Sequence, residues 1–221
     1  MGWTKSHISS DWGQSTAMAP NGEKIVVFAY HTWEVNPDGI YTQVISEWPN
    51  TVAATTNGNF IYAIRPDGFI HKINTSSYST FKWAEAGGGW DKAKGIFAYN
   101  DRIYVILPDS IWEIRLDGTY KKVQNESWKT TQSIVVIGDY AYLMADYGRI
   151  WKLNLKYWTY RVLCNGLEKT RQLLTFDNKL FAYDVYLRIV DTDTGEQTVL
   201  FTDNWNEVLA GCNTASAMYC I

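Results

Sequence analysis

Histidine and cysteine are scarce, with three of each in 221 residues, and their placement excludes much familiar chemistry. His7, His31 and His71 fall in three separate stretches. There is no H-E-x-x-H, no G-x-S-x-G and no Gly-rich loop opening a helix to cradle phosphate. Cys164, Cys212 and Cys220 form neither a C-x-x-C pair nor an even disulfide framework, so free and mostly buried thiols are expected. No apolar run reaches the roughly 18 residues of a membrane-spanning helix. The first thirty residues show no charged-then-apolar secretory pattern. A cytoplasmic location is expected, or secretion without a signal peptide. "MGWTKS" matches the N-myristoylation pattern, but bulky Trp3 is a poor neighbour for Gly2. The sequons at Asn74 and Asn125 are read as chance matches in the absence of a secretory route. A net charge of −3 gives no long-range attraction to nucleic acid or anionic membrane.

Aromatic residues, by contrast, are abundant. Eleven Trp and fifteen Tyr exceed what an ordinary core requires, which leaves aromatic surface for recognition.

Helical periodicity is also missing, and a repeat stands in its place. "TTNGNFIYAIRPDGFIHKIN", "AYNDRIYVILPDSIWEIRLDG", "VIGDYAYLMADYGRIWKLN" and "TFDNKLFAYDVYLRIVDTDTG" align with one another, and "APNGEKIVVFAYHTWEVNPDG" joins them. Each holds an apolar run, a tight Asn/Asp/Gly turn, an apolar-aromatic strand, a second turn and an alternating strand such as "IWEIR". A fourth strand follows, for example "YTQVIS", "YKKV", "TYRVL" or "QTVLF". Period-two alternation with turns every ten residues or so means β-structure. Trp12, Trp48, Trp90 and Trp128 lie 36, 42 and 38 residues apart, and Leu167 takes the equivalent place before Trp205. Four strands in about 40 residues is the period of a propeller blade.

Five full units run from about Ser15 to Glu207. The remainder, "VLAGCNTASAMYCI", aligns with the first two strands of a unit, and the first residues of the chain resemble the end of one. The expected fold is therefore all-β: a single domain, 1–221, forming a six-bladed propeller. The blades would be 15–50, 51–92, 93–130, 131–170, 171–207, and 208–221 together with 1–14. Pairing the N-terminal strand with the C-terminal hairpin would close the ring and hide two strand edges. Because a third strand of the "IWEIR" type is missing, this sixth blade is expected to have three strands. The alternative is a five-bladed ring with an appendage.

Units of the form "DRIYVI…DSIWEI…DGTYKKV…SW" resemble the tectonin repeat, and more loosely the tachylectin-2 type of propeller lectin. The resemblance covers most of the chain. It implies carbohydrate binding, multivalency and a role in defence or agglutination, with O-methylated glycans among the ligands. The departures are Leu167 in place of one terminal Trp and loops of differing length and charge.

Candidate site residues follow from propeller topology. The connection between blades lies on the same face as the loop between the second and third strands. Trp12, Trp48, Trp90, Trp128 and Trp205 would therefore share a face with "IRPDG", "ILPDS" and "MADYG", beside Arg65, Asp67, Asp109 and Asp146. A sugar's C–H face packs on a flat ring while its hydroxyls take directional hydrogen bonds. A Trp repeated at blade ends also commonly fills the gap between sheets, so both roles stand at this point. Trp48, Trp90 and Trp128 are the strongest candidates, and the Leu167 junction should bind poorly. Trp33, Trp112 and Trp151 sit at matching third-strand positions and are read as packing residues. "DTDTGE" (191–196) lacks the full calcium-loop pattern and is read as a plain turn.

No cofactor, metal or catalytic residue is expected. The partners would be glycans or glycoconjugates, without nucleic acid or membrane insertion, and homo-oligomerisation is compatible with this reading. Two other classes remain. A protein-interaction propeller would use the same face for a peptide, and a propeller glycosidase would need acids converging on the central channel. The inner strands "VAATT", "GIFAY", "SIVVI" and "LLTFD" carry almost none.

Overall fold

The structure, a computed structural model, describes residues 14–170, 172–183, 186–202 and 210–220. Its building unit is a four-stranded antiparallel sheet in meander order, repeated five times. Blade 1 holds β1 (Ala17–Asn21), β2 (Lys24–Phe28), β3 (Thr32–Val35) and β4 (Tyr41–Ile45). Blade 2 holds β5 (Ala53–Asn57), β6 (Phe60–Ile64), β7 (Ile70–Asn74) and β8 (Thr80–Lys82). Blade 3 holds β9 (Gly95–Tyr99), β10 (Arg102–Leu107), β11 (Ser110–Arg115) and β12 (Tyr120–Gln124). Blade 4 holds β13 (Ser133–Ile137), β14 (Tyr140–Ala145), β15 (Arg149–Asn154) and β16 (Tyr160–Cys164). Blade 5 holds β17 (Gln172–Phe176), β18 (Lys179–Tyr183), β19 (Leu187–Val190) and β20 (Gln197–Phe201). A two-stranded sheet, β21 (Gly211–Asn213) and β22 (Met218–Cys220), completes the described strands.

The chain is thus a β-propeller with five blades and a small two-stranded sheet, which corrects the expected count of six. The first strands of successive blades lie side by side, and β21 stands between β17 and β1. The C-terminal segment carries enough strand sequence for one hairpin only, because the alternating third strand that every full unit contains is absent. The N-terminal strand assigned to a sixth blade lies outside the described residues. No described helix is long and apolar enough to cross a membrane.

Local sequence explains the blades. The first two strands of each are joined by two-residue hairpins. Asn100 and Asp101, and likewise Asp177 and Asn178, have positive φ at both turn positions, the geometry that matches strand twist and that Asn and Asp tolerate. Further out, the pairing of third and fourth strands shifts register at the same place in blades 1, 3, 4 and 5. The extra residue is Val44, Val123, Leu163 or Leu200. Three of these, Val123, Leu163 and Leu200, pack into the clusters between blades. The bulge twists the outer strand and supplies an apolar side chain to the seam.

The core is a series of inter-blade seams. Tyr104, Ile106, Ile111 and Trp128 of blade 3 pack with Ala141, Leu143, Leu153 and Leu155 of blade 4. Tyr142, Met144 and Leu167 pack with Leu173, Leu180 and Val190 of blade 5 in the same way. Three seams are also pinned by the third turn of the following blade, in blades 2, 4 and 5. Asn74, Asn154 and Asp191 each accept two backbone N–H groups through Oδ1. Their turns close with Tyr78, Trp158 and Gly195, all at positive φ. Tyr78 reaches back to Glu34 and Asn21, and the Trp158 ring lies 5.4 Å from that of Tyr104. Gly195 presses so close to the Leu163 carbonyl that a Cβ would sit 2.3 Å from it. The acidic turn "DTDTGE" uses its Asp191 carboxylate within the turn itself.

Candidate functional site

The junction between blades is a repeated device. The backbone N–H of Trp48 donates to Tyr30 O at 2.8 Å, that of Trp90 to Gly68 O at 3.0 Å, and that of Trp128 to Pro108 O at 2.8 Å. Leu167 does the same with Gly148 O at 3.1 Å. Each junction residue is therefore tied to the second loop of its own blade, and the shared face expected from topology is present. Three residues on, the N–H groups of Ala93, Thr131 and Thr170 return to the junction carbonyls at 2.9–3.0 Å, which turns the chain into the next inner strand.

The rings themselves are not available as stacking platforms. Trp48, Trp90 and Trp128 are 5, 3 and 4% exposed, and Leu167 is 1% exposed. Their side chains fill the seams, which corrects the assignment of these three Trp as sugar-stacking residues. A ring that must seal the wedge between two twisted sheets has no face left for solvent. Trp12 and Trp205 lie outside the described residues.

The polar partners fare differently. Asp67, Asp109 and Asp146 are exposed, and Arg65 is half-buried. The Arg65 guanidinium lies over the Trp48 ring, 4.3 Å from its centre, and so covers that ring rather than meeting a ligand beside it. Asp67 Oδ1 accepts the Phe69 N–H at 3.0 Å, and Oδ2 accepts from His71 Nε2 at 2.9 Å. Partial burial opposes ionisation of Asp67, but the bonds from His71 and Phe69 outweigh it and hold the carboxyl below its ordinary range. Asp109 accepts from Ser110 Oγ at 2.9 Å, and Ser110 Oγ in turn accepts from Trp112 Nε1 at 3.0 Å. Asp146 opens a one-turn helix, 146–148, in which Tyr147 adopts positive φ and is 78% exposed.

Aromatic surface appears one strand further out, where sequence reasoning assigned only packing. Trp112 and Trp151 are half-buried, and each meets an exposed or nearly exposed Tyr that opens the fourth strand. The Trp112 and Tyr120 rings are 5.8 Å apart, and those of Trp151 and Tyr160 are 5.5 Å apart. The buried junction Trp forms the floor. Trp90 lies 6.0 Å from Trp112, and Trp128 lies 5.3 Å from Tyr160. Blade 1 repeats the pair as Trp33 and Tyr41, 5.6 Å apart. Charged groups flank each pair: Lys122 Nζ stands 5.3 Å from the Trp112 ring centre, and the Arg149 guanidinium 5.8 Å from that of Trp151. Burial, then the neighbouring Glu126 carboxylate, push the Tyr160 phenol above its usual value. The missed signal was the Tyr that begins "YTQVIS", "YKKV" and "YRVLC" in the three units whose third strand carries Trp.

Over blade 3 the Gly-rich loop "AEAGGGW" closes in. A Cβ on Gly87, which has φ +69°, would sit 2.9 Å from the Tyr120 hydroxyl, so glycine is what lets the loop rest there. Trp90 Nε1 donates to Ala86 O at 3.1 Å and holds the loop's base.

Two shallow grooves lie at equivalent places on the other face of the outer strands, the face of Lys152 and Arg161 rather than that of Trp151. One of about 310 Å³ is lined by Tyr140, Lys152, Asn154, Thr159, Tyr160 and Arg161 of blade 4. The other, of about 140 Å³, is lined by Glu113, Arg115, Thr119, Tyr120 and Lys121 of blade 3. Among the described residues no cluster of three metal-ligating side chains occurs.

No protein-family model matches this chain, and no curated protein does so. Among solved structures it is similar to PorZ, a bacterial surface component of the type-IX secretion system of Porphyromonas gingivalis. That likeness has 12% identity and a TM-score of 0.65, and spans 93% of this chain but only 29% of PorZ. It is similar to virginiamycin B lyase from Staphylococcus aureus at 11% identity and TM-score 0.67, over 96% of this chain and 79% of the lyase. A chain of a nidogen/laminin complex matches at 14% identity and TM-score 0.67, over 90% of this chain and 82% of that one. At such identities the likeness shows the propeller fold alone, and the varied functions of these structures fix no activity.

Proposed function

We propose that this chain is a multivalent, non-enzymatic carbohydrate-binding propeller whose sugar sites lie at the outer edges of blades 3 and 4. The observation that carries the reading is the repeated pairing of a half-buried Trp with an outward Tyr, Trp112 with Tyr120 and Trp151 with Tyr160. A half-buried indole is rigid and keeps part of its surface at the solvent boundary, the arrangement that suits the apolar face of a pyranose. Asp109 and Lys122 near one ring, and Arg149 of blade 4 with Glu126 from the end of blade 3 near the other pair, supply hydrogen-bonding groups. The resemblance to tectonin repeats supports the same reading. Two or more equivalent shallow sites on one rigid ring favour avidity over single-site affinity.

A glycan array with the wild-type chain and the variants Trp112→Ala and Trp151→Ala tests this. Binding that falls in each variant while the fold is retained supports the reading. A stacked aromatic contributes about 1–3 kcal/mol in recognition of flat ligands, so each site should weaken roughly 5- to 150-fold. An array on which the folded wild-type chain binds nothing would overturn it, and binding to a peptide library or release of cleaved product would point to the other two classes.

A further inference from the structure

The same third-strand position carries Glu34, Lys72, Glu113, Lys152 and Ile189 in blades 1 to 5, and its cross-strand partner decides whether that charge is compensated. Glu34 faces Thr42, Lys72 faces Phe81 and Ile189 faces Thr198. Glu113 faces Lys121, whose Nζ is 3.7 Å away, and Arg102 Nη1 approaches Glu113 to 2.9 Å from another side. Blade 4 differs from all of these, because Lys152 faces Arg161 directly across the ladder. Like charges opposite one another on a sheet are destabilising.

Blade 5 offsets part of this repulsion. Lys152 Nζ donates to Thr192 O at 2.7 Å and to Asp193 Oδ1 at 3.0 Å, and Arg161 Nη2 donates to Asp193 O at 2.9 Å. The Asp193 carboxylate meets Lys152 alone, Arg161 having only its backbone carbonyl, and the Asp193 side chain is 87% exposed, so solvent screens its contribution. The groove of about 310 Å³ opens at this pair, and Tyr140, Asn154, Thr159 and Tyr160 supply hydroxyl, amide and ring surface around it.

We propose that this groove of blade 4 holds an anionic group, the carboxylate or sulfate of an acidic sugar. The inference rests on the sugar-binding reading for the rest of the ligand. Arg161 is always protonated and presents a planar fork that matches a carboxylate or sulfate, and Lys152 adds a second positive charge from the groove floor. In blade 3 the corresponding pair is Glu113 and Lys121, so a carboxylate stands where blade 4 has Lys152, with Arg115 also lining the groove.

Calorimetric titration of the full chain with methyl glucuronoside, methyl glucoside and sodium sulfate tests the assignment, using Arg161→Gln as the main variant because Arg161 is exposed and its loss spares the core. The glucuronoside should bind at least about tenfold tighter than the glucoside. That preference should vanish in Arg161→Gln and shrink as salt is raised. Equal affinity for the two sugars, or a preference that survives Arg161→Gln, overturns the anion site while leaving the sugar reading intact. Sulfate binding that Arg161→Gln abolishes, with neither sugar bound, supports the anion site and removes the sugar reading beneath it. Binding of none of the three probes overturns both.

Discussion

The Arg65 guanidinium lies flat over Trp48, 4.3 Å from the ring centre, and so covers from blade 2 the Trp that ends blade 1. With His71 at 5.4 Å against the same ring, Trp48 is enclosed by side chains of the following blade. Trp48, Trp90 and Trp128 are therefore seam fillers. Trp48→Ala, Trp90→Ala and Trp128→Ala should each cost about 3–5 kcal/mol of stability in urea unfolding. Arg65→Lys should cost about 0.5–2 kcal/mol through loss of the stacked cation. Glycan binding per folded molecule should stay unchanged in the Trp48→Ala chain, whose altered ring lies in neither proposed site. A drop in bound sugar without loss of stability would show instead that these rings face the ligand.

A second relation across that seam carries a pH signature. Tyr78 donates to Glu34, which also receives Lys24 Nζ at 2.7 Å and Asn21 Nδ2 at 3.3 Å. Partial burial raises the Glu34 pKa, but these bonds prevail and hold it below its reference value of 4.5. A carboxylate depressed in the folded state stabilises fully above the unfolded pKa, and that share is lost as pH falls from about 4.5 through the folded value. Acid titration of unfolding stability should therefore show a steeper decline below that pH in wild type than in Glu34→Gln. Superimposable acid limbs would remove Glu34 from the account.

The start of each inner strand shows a recurrent defect. Ser15, Thr51, Thr131 and Thr170 are buried, and their hydroxyls have no hydrogen-bond partner, while blade 3 has Ala93 at the same place. An unsatisfied buried hydroxyl costs about 1–3 kcal/mol. Thr131→Val and Thr170→Val keep the shape and remove the polar atom, so each should leave stability unchanged or raise it by about 1 kcal/mol. Consistent destabilisation would mean that the hydroxyls hold buried water.

Two glycines with similar backbone separate strain from contact. Gly148 and Gly138 have φ of +63° and +55°, yet a Cβ on Gly148 would lie 2.2–2.4 Å from the backbone of Leu167 and Glu168, whereas one on Gly138 meets nothing within 4 Å. Gly138→Ala should cost only the conformational strain of roughly 1 kcal/mol. Gly148→Ala should cost clearly more, because it also forces apart the Leu167 junction. Equal midpoints in thermal unfolding would show that this junction yields freely.

Much of this architecture was legible along the chain. Asn-Gly and Asn-Asp pairs specify two-residue hairpins, alternation specifies strands, and the spacing of Trp12, Trp48, Trp90 and Trp128 specifies the blade period, because these depend on neighbours close in sequence. The blade count was less accessible: "VLAGCNTASAMYCI" carries strand signals, but whether a fragment becomes a blade depends on partners that only the ring supplies.

The site divides along the same line. That a Trp recurs at every junction but one is a property of the sequence. That Trp48 is sealed under Arg65, while Trp112 and Trp151 keep surface beside Tyr120 and Tyr160, is not, because which side of a seam a ring faces depends on the twist between two sheets. Lys152 and Arg161 illustrate the point most simply. Nine positions apart in sequence, they look like two ordinary surface cations, and only the register of β15 on β16, fixed by the turn that joins them, sets them face to face over one groove. Local sequence determines strands and turns because their hydrogen bonds are short-range. The meeting of side chains from separate strands and blades is determined by ring packing, which no stretch of the sequence specifies alone.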